Sequence, residues 1–161
     1  MTPVVLFDWG DTLMRDFPQY AGRMCDWPEV AAIPGAREAL AYLSWRSYLH
    51  VVSGAADSSP DDIRRALARV DLDRFITGFF CRRNTGFDKP DRRFYQTVLD
   101  ILGVGAGEAT MVGDSLDKDI LPCHRLGMRT VLLAATAPSN LAPDIRVVRS
   151  LHELCLPDWP S

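Results

Sequence analysis

The sequence predicts a three-layer α/β/α sandwich in which helices cover both faces of a mostly parallel central sheet. Strand and helix patterns alternate along the 161 residues, the arrangement expected of βαβ units. The strand candidates are short, continuous apolar runs, as in strands that are buried on both faces. Several of these runs stop at a polar residue or a glycine. A chain of this length fits a single domain, which we expect to span residues 1–161.

The predicted strands come from apolar runs and the predicted helices from caps and helical spacing. The strands are 4–7, 49–52, 75–80, 110–112, 131–133 and 145–148. The helix starts are Pro34-Gly35, Ser59-Pro60, Asp91 and about Asp119, with a short helix at 151–156. The helix after Ser59 is predicted to bury Ile63, Leu67 and Val70, and the helix from Asp119 to end at Gly127. Residues 14–33 show no clear periodicity.

Composition and charge narrow the possible partners. The formal net charge is -3, so there is no basic field to attract nucleic acid or an anionic membrane. No apolar run approaches the roughly 20 residues needed to span a bilayer. The four cysteines are scattered without a C-x-x-C pair, which indicates reduced thiols in a cytoplasmic protein.

Polar residues stand where the predicted strands end. Asp8 follows the first strand, Ser53-Gly54 the second, and Asp114 the fourth, while Lys89 lies in the loop after the third. In parallel sheets the ligand crevice lies beyond the carboxyl ends of the strands. We therefore expect these side chains to meet at one edge of the sheet.

Each of these residues allows two interpretations, a chemical role and a structural role. Asp8 could attack an electrophile and form a covalent intermediate, or it could be a turn aspartate. Ser53 and the Gly54 N–H could bind a phosphoryl oxygen, or simply form a turn. Lys89 could neutralise a carboxylate and a phosphate, although an isolated lysine is usually solvated.

The segment Gly113 to Asp119 contains three aspartates at the end of an apolar strand. Asp114 ends the strand and Asp119 lies near the next helix start, so both could face one cation. Hard oxygen ligands favour magnesium over zinc. The alternative, an acidic surface loop, is weakened by the position of the segment at a strand end.

Together these segments resemble the four motifs of the haloacid dehalogenase-like (HAD) hydrolase superfamily, in the same order along the chain. Phe7 to Leu13 is similar to the nucleophile motif and Val51 to Gly54 to the hydroxyl motif. Lys89-Pro90-Asp91 with Phe94 is similar to the lysine motif, and Val112 to Ser115 with Asp119 to the metal motif. The resemblance implies a Rossmann-like HAD fold over nearly the whole chain.

The resemblance also implies roles. Asp8 would be the nucleophile and a Mg²⁺ ligand, and Asp114 the second metal carboxylate. Ser53, Gly54 and Lys89 would bind the phosphoryl group. Asp119 would orient Lys89 or a metal-bound water. The implied enzyme is a magnesium-dependent phosphatase that acts on a phosphate monoester through an aspartyl-phosphate on Asp8.

The chain departs from the family pattern two residues after the nucleophile. Family phosphatases usually carry there the aspartate that serves as general acid and base, a function worth about 10²–10⁴-fold in rate. This position is Gly10, whose carbonyl can still reach the metal, and Asp11 follows it. Either Asp11 replaces the missing group, or the chain is a degenerate member that binds a phosphorylated ligand or protein with little turnover.

Two other branches of the family fit less well. The phosphonate-cleaving branch needs a cap lysine, and none lies between Asp8 and Ser53. The dehalogenase branch works without metal and usually lacks the glycine-aspartate that this chain retains at Gly113-Asp114.

The segment between the first two motifs is too short for a full helical cap. Residues 14–33 therefore predict a short insertion in place of a cap, with Arg15, Arg23, Trp9 and Trp27 as candidates for the rim of an open site. The expected partner is a small phosphorylated substrate or a phosphorylated macromolecule. The chain could act as a monomer or a homo-oligomer.

Overall fold

A computed structural model of the chain describes residues 2–157 and 159. Six strands form one sheet in the order β3-β2-β1-β4-β5-β6, and every pairing is parallel. The strands are β1 (Val4–Phe7), β2 (Tyr48–Val52), β3 (Gly78–Phe80), β4 (Ala109–Gly113), β5 (Arg129–Leu133) and β6 (Arg146–Val148). This is the doubly wound order, and the predicted fold class is confirmed.

Helices cover both faces of the sheet, and the alternation of β1 shows how. Val5 and Phe7 belong to one apolar cluster and Val4 and Leu6 to the other, because successive side chains of a strand point to opposite faces. The α-helices are α1 (Ala36–Leu43), α2 (Pro60–Ala68), α3 (Arg82–Thr85), α4 (Arg92–Leu102) and α5 (Leu121–Arg125). The first cluster contains buried residues of α1 and α2, and the second those of α4 and α5.

Short helical turns join these elements. The 3₁₀ turns are Met24–Asp26, Asp73–Phe75, Ala106–Glu108 and Leu151–Leu154, and a π-helical turn spans Leu116–Ile120. In the described residues no helix is long and apolar enough to cross a membrane. The four cysteines are free thiols. The cytoplasmic location stays a prediction.

Local chemistry explains why α2 and α4 begin where the sequence predicted. Ser59 caps α2: its Oγ accepts from the Asp62 N–H at 3.1 Å, and the Asp62 carboxylate accepts from the Ser59 N–H at 2.9 Å. Asp91 caps α4 by accepting from the Arg93 N–H at 2.9 Å.

Four expectations about element boundaries were wrong. The third strand is Gly78–Phe80 and not 75–80, because a 3₁₀ turn ends at Phe75 and pairing with β2 starts only at Gly78. Val70 packs against the first apolar cluster as expected, but it lies beyond the end of α2, where Asp71 turns into the left-handed region with φ 59°. The terminal helix at 151–156 is a single turn, Leu151–Leu154. In addition, α3 was not predicted.

The fourth correction concerns the helix expected from Asp119. The chain coils three residues earlier, because Ser115 acts as the cap and its Oγ accepts from the Lys118 N–H at 3.2 Å. The first coil is the π-helical turn, and α5 follows it. Gly127 has φ 91°, the left-handed conformation expected after the end of this helix.

Candidate active site

Three strand ends lie level at the carboxyl edge of the sheet. Phe7 pairs with Val51 of β2 on one side and with Val112 of β4 on the other. The next residue, Asp8, extends the ladder by donating its N–H to the Val112 carbonyl at 2.9 Å. Parallel pairing in this register places the residues that follow β1, β2 and β4 around one cavity.

A buried lysine bridges two carboxylates at the centre of this edge. The Lys89 Nζ lies 2.8 Å from Asp8 Oδ1 and 2.8 Å from Asp119 Oδ1. The Lys89 side chain is 3% exposed, so this ammonium is held away from water. Buried charges of this kind persist only when they are paired.

The π-helical turn carries Asp119 to Lys89. Asp119 Oδ2 accepts from the Ser115 N–H at 3.1 Å, while its Oδ1 contacts the lysine. The turn packs so closely on β4 that a Cβ at Gly113 would overlap the Asp119 side chain. Glycine at 113 is therefore required by this close approach.

Asp114 lies on the other side of Asp8. Carboxylate oxygens of Asp8, Asp114 and Asp119 all lie within 4.8 Å of one another. The buried Thr12 hydroxyl lies 3.2 Å from Asp8 Oδ2 and 3.2 Å from Asp114 Oδ1, so it can donate to either. Thr12 was missed as a site residue, although its place in the turn after Asp8 was a signal that could have identified it.

Two carboxyl groups of this cluster have raised pKa values. Burial raises the pKa of Asp114 to about 8, assisted by the hydrogen bond and negative charge of Asp8 and by the charge of Asp119. Burial and the charge of Asp8 raise the pKa of Asp119 to about 6, against the opposing effect of Lys89. Two carboxylates, those of Asp8 and Asp119, thus share one ammonium, and the pKa of the third, Asp114, is raised beside them.

Asp8 itself keeps its negative charge. Burial favours the neutral acid, but the Lys89 ammonium and the hydrogen bonds around the carboxylate outweigh burial, so the pKa of Asp8 lies below its usual range. The same ion pairs raise the pKa of Lys89 above its usual range, although burial alone would lower it. The geometry thus provides an ionised carboxylate beside a fixed positive charge.

Ser53 and Gly54 complete the opposite wall. The Ser53 N–H donates to the Phe80 carbonyl at 2.9 Å, which fixes the residue at the end of β2. Ser53 Oγ accepts from the Ala55 N–H at 3.0 Å. Its own proton is then available for an oxygen of a ligand.

The turn after Asp8 holds Gly10 and Asp11 differently from one another. A Cβ at Gly10 would meet no heavy atom within 4 Å, and Gly10 is not among the described glycines with positive φ. Asp11 is exposed, with φ 58°, and its Oδ1 accepts from the Asp16 N–H at 2.9 Å. Among the described contacts, the Asp11 side chain has none with Asp8 or Lys89.

Of the four residues suggested for the rim, Trp9 and Trp27 line the cavity. Arg15 and Arg23 are not among the described residues that line it. Arg23 is bound instead to Asp26 and Asp62, at 2.7 and 3.2 Å. The pair with Asp62 joins the 3₁₀ turn Met24–Asp26 to α2, a long-range contact that sequence patterns do not predict.

A doubly wound sheet with a carboxylate–lysine cluster at its carboxyl edge belongs to the class of α/β proteins whose ligand crevice lies at the strand ends. A family model described as haloacid dehalogenase-like hydrolase matches residues 8–133. This match covers most of the chain, and the chain belongs to that family.

Individual relatives cover parts of the chain. A glyceraldehyde 3-phosphate phosphatase of Pyrococcus furiosus is 31% identical over 62% of this chain and 40% of its own length. An (S)-2-haloacid dehalogenase of Burkholderia cepacia is 29% identical over 85% of this chain and 58% of its own length. The chain thus spans less than two thirds of either relative.

One solved structure extends the comparison of the fold. An uncharacterized protein from Listeria monocytogenes serotype 4b superposes with a TM-score of 0.81 over 95% of this chain and 94% of that one. The two are 22% identical, so the likeness concerns the fold alone.

Proposed function

We propose that the protein is a magnesium-dependent phosphatase that hydrolyses a phosphate monoester through an aspartyl-phosphate on Asp8. The observation that carries the proposal is the ionised Asp8 carboxylate, held 2.8 Å from a buried lysine at the edge of the sheet. Membership of a hydrolase family and the similarity to a phosphatase support it.

In this mechanism an Asp8 oxygen attacks phosphorus while the bond to the alcohol oxygen breaks, and the alcohol leaves with a proton. Water then attacks phosphorus and releases Asp8. Lys89 balances the charge of Asp8 and of the incoming phosphate, which reduces the repulsion between two anions. Ser53 Oγ and the Gly54 N–H would bind phosphoryl oxygens across the cavity.

The donor set fits magnesium. Asp8, Asp114 and the Gly10 carbonyl offer hard oxygens, and burial together with the negative charge of Asp8 raises the pKa of Asp114, an effect that a bound cation would oppose. When bound, magnesium would supply positive charge toward the phosphate oxygens. Asp119, fixed by the Ser115 N–H, would hold the Lys89 ammonium in position.

We further propose Asp11 as the group that transfers the proton of the leaving alcohol. Asp11 lines the cavity, and only its Oδ1 is engaged, by the Asp16 N–H. The second oxygen has no partner among the described hydrogen bonds. Catalysis from this position would require the Asp11 side chain to turn toward Asp8.

A second candidate function is binding of a phosphorylated ligand or protein with little turnover. The observation that favours it is Gly10, which leaves the usual acid–base position without a carboxylate, together with the contact that holds Asp11 on Asp16. Both functions use the same phosphate site, and turnover distinguishes them.

The short segment 14–33 stands, in our proposal, in place of a full cap on a single domain spanning 1–161. Met14 bridges to Gly10 and to Ala32, so the two ends of the segment lie together beside the nucleophile turn. An open site of this kind suits a small phosphorylated substrate or a phosphorylated macromolecule. The protein could act as a monomer or a homo-oligomer.

A generic phosphatase assay tests the proposal. Native protein should hydrolyse p-nitrophenyl phosphate with Mg²⁺ and lose this activity in a chelator. Asp8→Asn should abolish turnover while the fold persists, because Lys89 keeps its pair with Asp119. Equal activity of native protein and Asp8→Asn, purified in parallel, would contradict the mechanism.

A further inference from the structure

The cavity around Asp8 has an uneven set of charges. It has a volume of about 380 Å³, and its lining includes the carboxylate–lysine cluster. Three more carboxylates line it, those of Asp11, Asp16 and Asp57. Among the described lining residues, Lys118 is the one further cation besides Lys89.

These three carboxylates are not neutralised by arginine or lysine in the described structure. Asp11 accepts from the Asp16 N–H, and Asp57 lies 3.4 Å from the Ser58 hydroxyl. None of the three takes part in a described ion pair. Arg23 of the same segment is already bound to Asp26 and Asp62.

The lining of the cavity also includes apolar and aromatic side chains. These are Trp9, Met24 and Trp27, all of them buried. Trp27 is fixed in place because its Nε1 donates to the Gly22 carbonyl at 3.0 Å. Indole rings attract organic cations more strongly than other aromatic side chains do, and nearby carboxylates add to that attraction.

We propose that the leaving group of the substrate is a small alcohol that carries a positive charge, such as an amino alcohol or a trialkylammonium alcohol. The phosphate would occupy the inner end of the cavity at Asp8, and the cation the outer end between the acidic rim and the tryptophans. A second anionic group on the leaving alcohol is disfavoured there. This inference rests on the proposed phosphatase function.

The expected preference follows from the charges. The rim carboxylates and the charge on the leaving group interact in the presence of water. Each attraction or repulsion is therefore modest and is screened by salt. The uncompensated carboxylates of Asp16 and Asp57, acting together, should separate a cationic from an anionic leaving group by about tenfold in kcat/KM at low ionic strength.

The experiment compares three small esters: phosphocholine, glycerol 3-phosphate and phosphoglycolate, whose leaving groups are cationic, neutral and anionic. The kcat/KM values should fall in that order for native protein. In the double variant Asp16→Asn with Asp57→Asn, the ratio of cationic to anionic ester should collapse toward one. The matched control Asp100→Asn, in the last turn of α4 and remote from the cavity, should keep the native ratio.

Calorimetric binding of the same three esters separates this inference from the proposed function. If none is hydrolysed, the phosphatase proposal fails, while a binding order of phosphocholine, glycerol 3-phosphate, phosphoglycolate still supports the cationic subsite. Equal binding and equal turnover of phosphocholine and phosphoglycolate by native protein would overturn the inference. A native-like ratio in the double variant would overturn it as well.

Discussion

Replacing Lys89 with methionine removes the single positive charge at the centre of the site. Methionine keeps an unbranched side chain of similar length and has no charge. Asp8 and Asp119, each 2.8 Å from the ammonium in the native protein, then face one another without a cation. We expect Lys89→Met to destabilise the metal-free protein substantially.

The magnitude follows from burial. The side chains of Lys89, Asp8 and Asp119 are 3%, 13% and 1% exposed, so water screens the two carboxylates weakly. Breaking a buried ion pair by removing one partner costs about 3–5 kcal/mol. Protonation of Asp119, whose pKa is already raised to about 6, would relieve part of this cost.

The stability loss of Lys89→Met should depend on pH. Without Lys89 the folded carboxylates bind protons more tightly than the unfolded ones, so the variant loses stability as pH rises. Urea unfolding in a chelator should therefore show a larger deficit at pH 8 than at pH 5.5. Lys118→Met, which removes an exposed lysine of the same cavity, should stay within about 0.5 kcal/mol of native.

Two results would refute this reasoning. One is an unfolding free energy of Lys89→Met within about 1 kcal/mol of native at pH 8, since breaking a buried pair should cost more. The other is a deficit that does not change between pH 5.5 and pH 8.

Three further predictions follow from the same structure. Asp114→Asn should weaken Mg²⁺ binding by about tenfold or more, measured by calorimetry; native protein that binds no Mg²⁺ would contradict the metal site. Asp11→Asn should lower turnover by about 10²-fold or more with Mg²⁺ affinity retained. Adding Gly10→Asp should restore turnover, because a Cβ at position 10 would meet no neighbouring heavy atom. A native rate in Asp11→Asn, with no gain from a folded Gly10→Asp, would favour the second candidate function, binding with little turnover. Burial lowers the pKa of His50 to about 4. As pH falls from about 6.5 to 4, His50 is therefore protonated in the unfolded chain before the folded one, and up to about 3 kcal/mol of stability is lost. His50→Gln should flatten this part of the stability profile measured by urea unfolding, and an unchanged slope would contradict the assignment to His50.

The positions of the strand-end residues could be predicted from the sequence because parallel strands bring their carboxyl ends to one edge. Asp8, Ser53 and Asp114 were predicted at strand ends because apolar runs stop there. Lys89 was predicted in the loop before the helix that Asp91 caps. Their chemical roles stay predictions, since proximity alone does not show which carboxylate reacts.

Contacts between distant side chains could not be predicted. Arg23 lies in a segment without helical or strand periodicity and was expected at the rim of the site. It pairs instead with Asp62 of α2 and is not among the described residues that line the cavity. The π-helical turn that carries Asp119 to Lys89 depends on Ser115 acting as a cap, which the acidic run around it obscured. The Arg23 pair arises from tertiary packing, which local sequence patterns do not encode, whereas the Ser115 cap is a local contact that the predicted helix start at about Asp119 missed.

The claim that Asp8 accepts the phosphoryl group is tested most directly by a crystal structure of the native protein with Mg²⁺ and beryllium fluoride, a mimic of a phosphoryl group on a carboxylate. We expect beryllium bonded to an Asp8 oxygen, with its fluorides toward Ser53, Gly54 and Lys89. Beryllium fluoride bound to a different residue, or a magnesium-loaded site in which Asp8 stays unmodified at saturating beryllium fluoride, would contradict it.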